Sequence, residues 1–178
     1  MSEGKRGILG QTREVMRDEV HGYKQLVDEK FGDAGGVPHF AIGNSLGCPI
    51  AMMIACQDPD AFKALSLTVP MCGLDKKTET ELKKIQPILK LLSYFAPEYR
   101  IKSKIPDEPK TWMQAWGDDP KIESYMICAH NILMSTSVGE SMVTEFGPKV
   151  QKTPILMLCG EDDIVVCNEK AKKCFDAI

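Results

Sequence analysis

One stretch of the chain, HFAIGNSLGCPIAMMIA at residues 39–55, restricts the possible folds more than any other. An apolar run of strand length, Val37 to Ile42, leads into GNSLG at residues 43–47. A helix-like run rich in alanine, methionine and isoleucine follows, and Pro49 falls in its first turn, where a missing N–H is tolerated. A G-x-S-x-G pattern between a strand and a helix is typical of a nucleophile elbow.

The elbow would consist of Ser45 with Gly43, Asn44 and Gly47 around it. Small neighbours let the backbone turn sharply and leave the serine hydroxyl exposed. The helix that follows presents its N–H groups and its dipole toward developing negative charge. The alternative is an ordinary glycine-rich turn between a strand and a helix.

Two further apolar runs have the length of strands, Ala64 to Val69 and Ile155 to Cys159. Like the first run they are continuous rather than alternating, which is typical of parallel strands covered on both faces. Helical spacing of apolar residues predicts helices at 11–31, 46–57 and 168–177. This strand, helix, strand order predicts an α/β fold with a parallel sheet and helices on both of its faces.

Residues 74–150 do not continue this order of strands and helices. Lys76 to Phe95 is an amphipathic, basic helical stretch that we expect to be interrupted at Pro87. Residues 97–109 are expected to be irregular, Trp112 and Trp116 follow, and residues 121–137 predict another helix. We interpret the region as a helical cap inserted into a single domain, 1–178, whose core is formed by residues 1–73 and 151–178.

The composition excludes several classes of function. A net charge of −3 with interspersed signs lacks the basic footprint of a nucleic-acid-binding protein. Seven cysteines without a C-x-x-C pair argue against a disulfide framework and against a zinc site, so we expect reduced thiols in the cytoplasm, no metal and no cofactor. Cys48, Cys56 and Cys159 are expected to be core residues. The charged first residues do not resemble a signal peptide, and no apolar run is long enough to cross a membrane.

A candidate acid lies in TPILMLCGEDDIVV, residues 153–166. The apolar strand ends at Gly160, and Glu161, Asp162 and Asp163 follow at once. The carboxyl ends of parallel strands are where sites on open α/β sheets gather. A carboxylate there could orient a catalytic histidine. The alternative is a solvated acidic loop without a role.

These segments together resemble an α/β-hydrolase of the monoacylglycerol lipase and lysophospholipase group, the serine aminopeptidase S33 type. SEGKRG resembles the segment after that family's fourth strand, and PHFAIGNSLGCPIAMMIACQDPDAFKALSLTVP resembles its elbow strand, elbow helix and next strand. DDPKIESYMICAHNILMSTSVGE resembles the second half of its cap. TPILMLCGEDDIVV resembles its G-x-x-D-x-x-V acid loop, which implies that Asp163 is the triad acid. The Leu46 N–H is then implied as an oxyanion donor.

The sequence departs from the family pattern in three places. Asn44 stands where the family has histidine in its Gly-His-Ser elbow. The sequence begins after the H-G motif that supplies the second oxyanion donor, and no histidine follows Asp163 where the catalytic one is expected. We therefore expect a chain truncated at both ends. Of the histidines present, His21 is expected on a helix surface, His39 at the wrong end of the elbow strand, and His130 on the cap.

The resemblance implies a serine ester hydrolase that acts on lipid-like esters, such as a monoacylglycerol or a lysophospholipid, through an acyl-enzyme. The basic amphipathic stretch in the cap indicates peripheral contact with an anionic membrane surface. The alternative is a catalytically incomplete fragment or pseudoenzyme of the same fold that binds apolar ligands or a partner chain.

Overall fold

The structure is a computed structural model that describes residues 8–10, 12–31, 38–102, 126–150 and 152–178. The SEGKRG segment, Trp112 and Trp116 lie outside the described residues. The helices are α1 (Arg13–Phe31), α2 (Gly47–Gln57), α3 (Lys76–Phe95), α4 (Ala129–Ser141) and α5 (Asn168–Asp176). The strands are β1 (Phe40–Asn44), β2 (Ala64–Thr68), β3 (Arg100–Lys102), β4 (Met126–Cys128) and β5 (Ile155–Leu158). A π-helix, Met142–Phe146, and a short 3₁₀ turn, Gly147–Lys149, follow α4.

A parallel three-stranded sheet in the order β1-β2-β5 organises the fold. Asn44 at the end of β1 is level with Thr68 in β2, and Thr68 is level with Leu158 in β5. The carboxyl ends of all three strands therefore meet at one edge of the sheet. The predicted α/β class with a parallel sheet is confirmed.

The core lies on the face of the sheet that packs against α2. Leu65 and Leu67 of β2 point to this face and are fully buried, because side chains of a strand alternate between its faces. On α2, Cys48 and Met52 are also fully buried, so the expectation for Cys48 is confirmed. The π-helix contributes Met142 to the same cluster. Such continuous burial gives the strand and helix ends fixed positions for the site.

The opposite face of the sheet carries exposed apolar side chains within the described part of the chain. Phe40 and Ile42 of β1 are 64% and 82% exposed, and Leu156 and Leu158 of β5 are also exposed. All four residues share one face by the register of the sheet. Apolar surface of this kind in one patch marks a place where further polypeptide or a ligand packs.

Several local predictions were wrong. Helix α3 continues through Pro87, which is exposed, so that the backbone carbonyl freed by the proline can bind water. Residues 121–137 were expected to form a helix, but the first of them that the structure describes, Met126–Cys128, form the short strand β4. Strand β5 ends at Leu158, and Cys159 is exposed at the start of the following loop rather than buried in the strand.

The chain divides into two compact units. The larger comprises residues 10–84 and 134–178 and contains the parallel sheet. The smaller comprises residues 1–9 and 85–133 and contains the antiparallel pair β3–β4. The predicted division into a core and a cap at residues 74–150 stays a prediction. None of the described helices has the length and apolar character needed to cross a bilayer.

Candidate active site

Ser45 lies in a two-residue turn between the end of β1 and the start of α2. Its φ of +49° is in the left-handed region, which costs a residue other than glycine about 1–3 kcal/mol. Backbone hydrogen bonds hold this conformation. The Ser45 N–H donates to the Thr68 carbonyl at 3.0 Å, and the Ser45 carbonyl accepts from Cys48 N at 3.1 Å and Met71 N at 3.3 Å. The surrounding structure thus imposes on Ser45 a strained turn of the kind expected of an elbow.

The two glycines of the elbow differ in their surroundings. A Cβ on Gly43 would lie 2.8 Å from Cys48 Cα and 2.9 Å from both Cys48 N and Gly47 O. All three atoms belong to the backbone of α2, so only glycine lets the strand and helix approach this closely. A Cβ on Gly47 would meet no described atom within 4 Å. Asn44, the remaining elbow residue, is exposed at the end of β1.

The first turn of α2 leaves a donor available next to Ser45. The N–H groups of Ser45 and Cys48 are both engaged, whereas the Leu46 N–H donates to no backbone carbonyl of the described residues. The first N–H groups of a helix lack intrahelical partners and carry the positive end of its dipole. This position suits a donor to a developing oxyanion.

Asp163 is the one acid of the loop after β5 that the backbone anchors. Its Oδ1 accepts hydrogen bonds from Val165 N at 2.8 Å and Val166 N at 2.9 Å. Its Oδ2 accepts none from the described residues, so it is available to receive an N–H from another group. Glu161 and Asp162 are exposed. The carboxylate of Asp163 is thus fixed at one oxygen and open at the other.

Asn168 braces the acid loop, and the sequence reasoning missed it. Asn168 is the first residue of α5. Its Nδ2 donates to the Gly160 carbonyl at 2.6 Å and to the Glu161 carbonyl at 3.3 Å. A second hydrogen bond links the end of the loop to the connection after β2, because Cys167 N donates to the Gly73 carbonyl at 2.9 Å. An asparagine at a helix start indicates that its side chain bonds to nearby backbone groups. The sequence does not indicate that the acceptor lies in a loop eight residues earlier.

The connection after β2 joins the elbow to the acid loop. Val69 has a φ of +48°, which is rare for a β-branched residue, and its N–H donates to the Leu158 carbonyl at 2.7 Å. Ser45 follows β1 and Asp163 follows β5, with only β2 between them. At about 4.8 Å per strand spacing, the two strand ends are about 10 Å apart.

Neither His39 nor His21 lies at the elbow. His39 precedes β1, so about 20 Å of extended chain separates it from Ser45. Its Nε2 lies 3.1 Å from Asp28 Oδ1. His21 lines a cavity with Gln57 at the far end of α2 from Ser45. His130 belongs to the smaller unit. Its Nδ1 lies 3.1 Å from the hydroxyl of Ser93. The sequence expectations for His21 and His39 agree with these positions.

Comparison with known proteins identifies the group to which this arrangement belongs. The family model described as "Serine aminopeptidase, S33" matches residues 1–178. Human monoglyceride lipase is 27% identical over 176 residues, which is 95% of this chain and 54% of that protein. The monoglyceride lipase homolog of monkeypox virus is 25% identical over 168 residues, 91% of this chain and 56% of that protein. The chain thus spans about half the length of the curated relatives it matches.

Solved structures share the fold. A soluble variant of monoglyceride lipase from Saccharomyces cerevisiae, in complex with a substrate analog, superposes with a TM-score of 0.76 at 20% identity, covering 99% of this chain and 60% of that one. Monoacylglycerol lipase of Paleococcus ferrophilus superposes with a TM-score of 0.72 at 19% identity, covering 99% and 64%. At this identity the likeness establishes an α/β-hydrolase fold. With a family match over its whole length, the chain belongs to the serine aminopeptidase S33 family of α/β-hydrolases.

Proposed function

We propose that the chain carries the nucleophile and the acid of a serine ester hydrolase for lipid-like esters such as a monoacylglycerol or a lysophospholipid. The single observation that carries the proposal is the conformation of Ser45, held at a positive φ between a parallel strand and a helix. A left-handed serine sustained by three backbone hydrogen bonds is costly, and such strain clusters at active sites.

In the proposed reaction, the Ser45 hydroxyl attacks the ester carbonyl while a base takes its proton. The carbonyl oxygen becomes an oxyanion, which the Leu46 N–H and the dipole of α2 stabilise. Collapse of the tetrahedral intermediate expels the alcohol and leaves an acyl group on Ser45. Water then hydrolyses this acyl-enzyme and regenerates the serine.

Asp163 would orient the base, a histidine, through its free Oδ2. An imidazole that bridges the two groups, with hydrogen bonds of about 2.8 Å on either side, fits between strand ends about 10 Å apart. Neither His39 nor His21 occupies that position. His130 belongs to the smaller unit, where its Nδ1 lies 3.1 Å from the Ser93 hydroxyl, so we propose that the histidine comes from polypeptide outside these 178 residues.

The substrate class rests on the relatives and on chemistry. The named relatives are monoglyceride lipases, and the S33 family supports hydrolase chemistry in general. Fold alone does not fix the substrate, because the same architecture hosts many activities. Monoolein, a lysophospholipid and a short peptide amide would therefore be compared as substrates, with the lipid esters expected to turn over fastest.

Helix α3 supports a proposed peripheral contact with membranes from the cytoplasmic side. Ile88, Leu91 and Phe95 are all exposed and recur at the spacing of one helix face. Lys84 and Lys90 lie on the same helix, exposed, and could bind anionic headgroups. Co-sedimentation with anionic vesicles should weaken on Leu91→Glu. Gln86→Glu adds the same charge at an exposed position on the opposite face of α3 and is the matched control.

The decisive experiment is the intact mass of the protein after treatment with a fluorophosphonate, which reacts with activated serines. One adduct is expected on a protein in which this chain is joined to the polypeptide that supplies the histidine, and the 178 residues alone should label slowly or not at all. Ser45→Ala should remove it, and Ser66→Ala, one strand away on β2, should retain it. A folded protein that contains the histidine and still acquires no adduct would contradict an activated Ser45.

Asp163 is tested by a pair of variants that separate its structural bonds from its proposed role. Asp163→Asn keeps an oxygen for the Val165 and Val166 N–H groups, so its stability should be nearly unchanged, while labelling of Ser45 slows by at least about tenfold. Asp163→Ala should also lose about 1–2 kcal/mol of stability. Equal labelling rates in the wild type and Asp163→Asn would exclude Asp163 as the acid.

The second candidate function is a catalytically incomplete protein of this fold that binds apolar ligands or a partner chain. The observation that favours it is the exposed apolar face of the sheet, which includes Phe40 and Ile42 on its edge strand β1. Under this alternative the fluorophosphonate leaves Ser45 unmodified, and a fluorescent apolar probe binds the chain. Replacement of Ile42 by Thr should then weaken the binding of that probe.

A further inference from the structure

Two buried cysteines from distant parts of the sequence meet in the core of the larger unit. Cys72 lies on the connection after β2, and Cys174 lies near the end of α5. Both are free thiols and both have no exposed surface. They are 102 positions apart in the sequence, so no local spacing could have paired them.

Met142, the first residue of the π-helix, fixes where the two thiols lie. The Cys72 sulfur is 3.5 Å from the Met142 sulfur. The Cys174 thiol donates to the Met142 carbonyl oxygen at 3.2 Å. The two cysteine sulfurs therefore contact the same residue, and all three belong to one buried cluster.

The docking of α5 brings the cysteines to the same side independently of Met142. A Cβ on Gly73 would lie 2.6 Å from Lys170 Cδ, so the Lys170 side chain passes directly over the residue next to Cys72. Lys170 and Cys174 are four positions apart on α5 and therefore share a face of that helix. That face of α5 thus packs on the segment that carries Cys72.

Each of the two thiols influences the pKa of the other. A hydrogen bond between them raises the pKa of Cys72, and burial raises it further. The same hydrogen bond lowers the pKa of Cys174.

A cavity of about 290 Å³ reaches one member of the pair, Cys72. Cys72 forms part of its wall, together with Val143 and Thr144 of the π-helix. Lys170 and Lys173 of α5 line it as well. A space of this volume admits a hydroperoxide or a small disulfide.

We propose that Cys72 and Cys174 form a reversible disulfide that links the connection beside the elbow to the helix after the acid loop. With hydrogen peroxide as oxidant, one thiol of the pair attacks a peroxide oxygen as its thiolate, and hydroxide leaves and takes up a proton as water. The resulting sulfenic acid is attacked by the sulfur of the other cysteine, which loses its proton, and a second water leaves. Two thiols and one peroxide thus give one disulfide and two waters.

The bond has a structural consequence at both ends. The two sulfurs must approach to about 2.05 Å, which removes the Cys174 donor from the Met142 carbonyl. At the other end, Cys72 follows Met71, whose N–H binds the Ser45 carbonyl. Oxidation therefore constrains the segment that supports Ser45 relative to α5.

The test is made on the folded wild-type chain, so it does not depend on a variant that folds. Treatment with hydrogen peroxide, followed by alkylation and peptide mapping, should give a Cys72–Cys174 cross-linked peptide and a mass lower by about 2 Da. Dithiothreitol should reverse it. Oxidation should raise the midpoint of thermal unfolding by at least about 5 °C, because the closed loop is long.

Variants provide the controls. Cys174→Ser and Cys72→Ser should lose the cross-link and the shift in midpoint. Cys56→Ser should keep both, although Cys56 also donates to a carbonyl of the π-helix, that of Phe146 at 3.3 Å. A map that pairs Cys72 with Cys159 or Cys48 instead, or that shows only sulfinic and sulfonic acids, would overturn the proposal.

Discussion

Replacement of Gly43 by alanine isolates the contact that shapes the elbow. The added Cβ would lie 2.8 Å from Cys48 Cα and 2.9 Å from Cys48 N. Carbon atoms in contact prefer about 3.5–4.0 Å, so the strand and the helix would have to separate by about 0.7 Å or more. Both atoms belong to the backbone, and no side-chain rotation can relieve the overlap.

The expected magnitude follows from two opposing effects. Overpacking of a close contact costs about 1–3 kcal/mol. Alanine also restricts the unfolded chain relative to glycine, which returns about 0.4–1 kcal/mol. The net loss for Gly43→Ala is therefore about 1.3 kcal/mol from the middle of both ranges, which corresponds to a decrease of about 3–5 °C in the unfolding midpoint.

Gly47→Ala is the matched control, since it lies four residues on and its Cβ would meet no described atom within 4 Å. It keeps the entropic gain without the overlap, so its stability should rise by about 0.4–1 kcal/mol. Urea unfolding followed by circular dichroism measures both variants, and fluorophosphonate labelling reports whether Ser45 has moved. Equal stability of the two variants would refute the reasoning. It would mean that the overlap at residue 43 has no energetic cost and that only the entropic gain remains.

Two other predictions concern packing and pH. Gly139→Ala should destabilise the protein by about 1–3 kcal/mol, because its Cβ would lie 2.5 Å from the Met71 carbonyl oxygen. Gly22→Ala, which has open space in α1, should stabilise it by about 0.5–1 kcal/mol. Urea unfolding of both variants measures the difference. Lys170 holds the pKa of Glu79 below its ordinary 4.5, so this contribution to stability is present above that pH and is lost as pH falls through the folded-state pKa. Glu79→Gln should accordingly flatten the fall in unfolding free energy between about pH 5 and pH 3, and a fall as steep as that of the wild type would contradict this assignment.

The sequence predicted those parts of the fold that depend on local patterns. The elbow was visible because a strand, a G-x-S-x-G turn and a helix are contiguous. Helix α3 was predicted within its observed bounds, but the expected break at Pro87 did not occur, since an exposed proline leaves its unpaired carbonyl to water. Cys159 was misplaced because a continuous apolar run does not indicate where hydrogen bonding of the strand stops.

The site needed the structure where long-range contacts decide. Sequence spacing left Glu161, Asp162 and Asp163 equivalent until the family resemblance separated them. The backbone bonds to Asp163 Oδ1 now give a physical reason for that choice. The different surroundings of Gly43 and Gly47, two glycines of one motif, also depend on the tertiary approach of α2 to β1 and cannot be read from the pattern.

The register of the sheet has a consequence for synthesis of the protein. Asn44 and Thr68 pair across only 24 positions, but Thr68 and Leu158 pair across 90. At about 5–20 residues per second, a ribosome needs roughly 5–20 s to make the intervening chain. For that time β2 has one edge without its native partner, and unpaired strand edges are where nascent chains associate wrongly. The yield of folded protein should therefore depend on translation speed between β2 and β5 and on chaperones that bind during that interval.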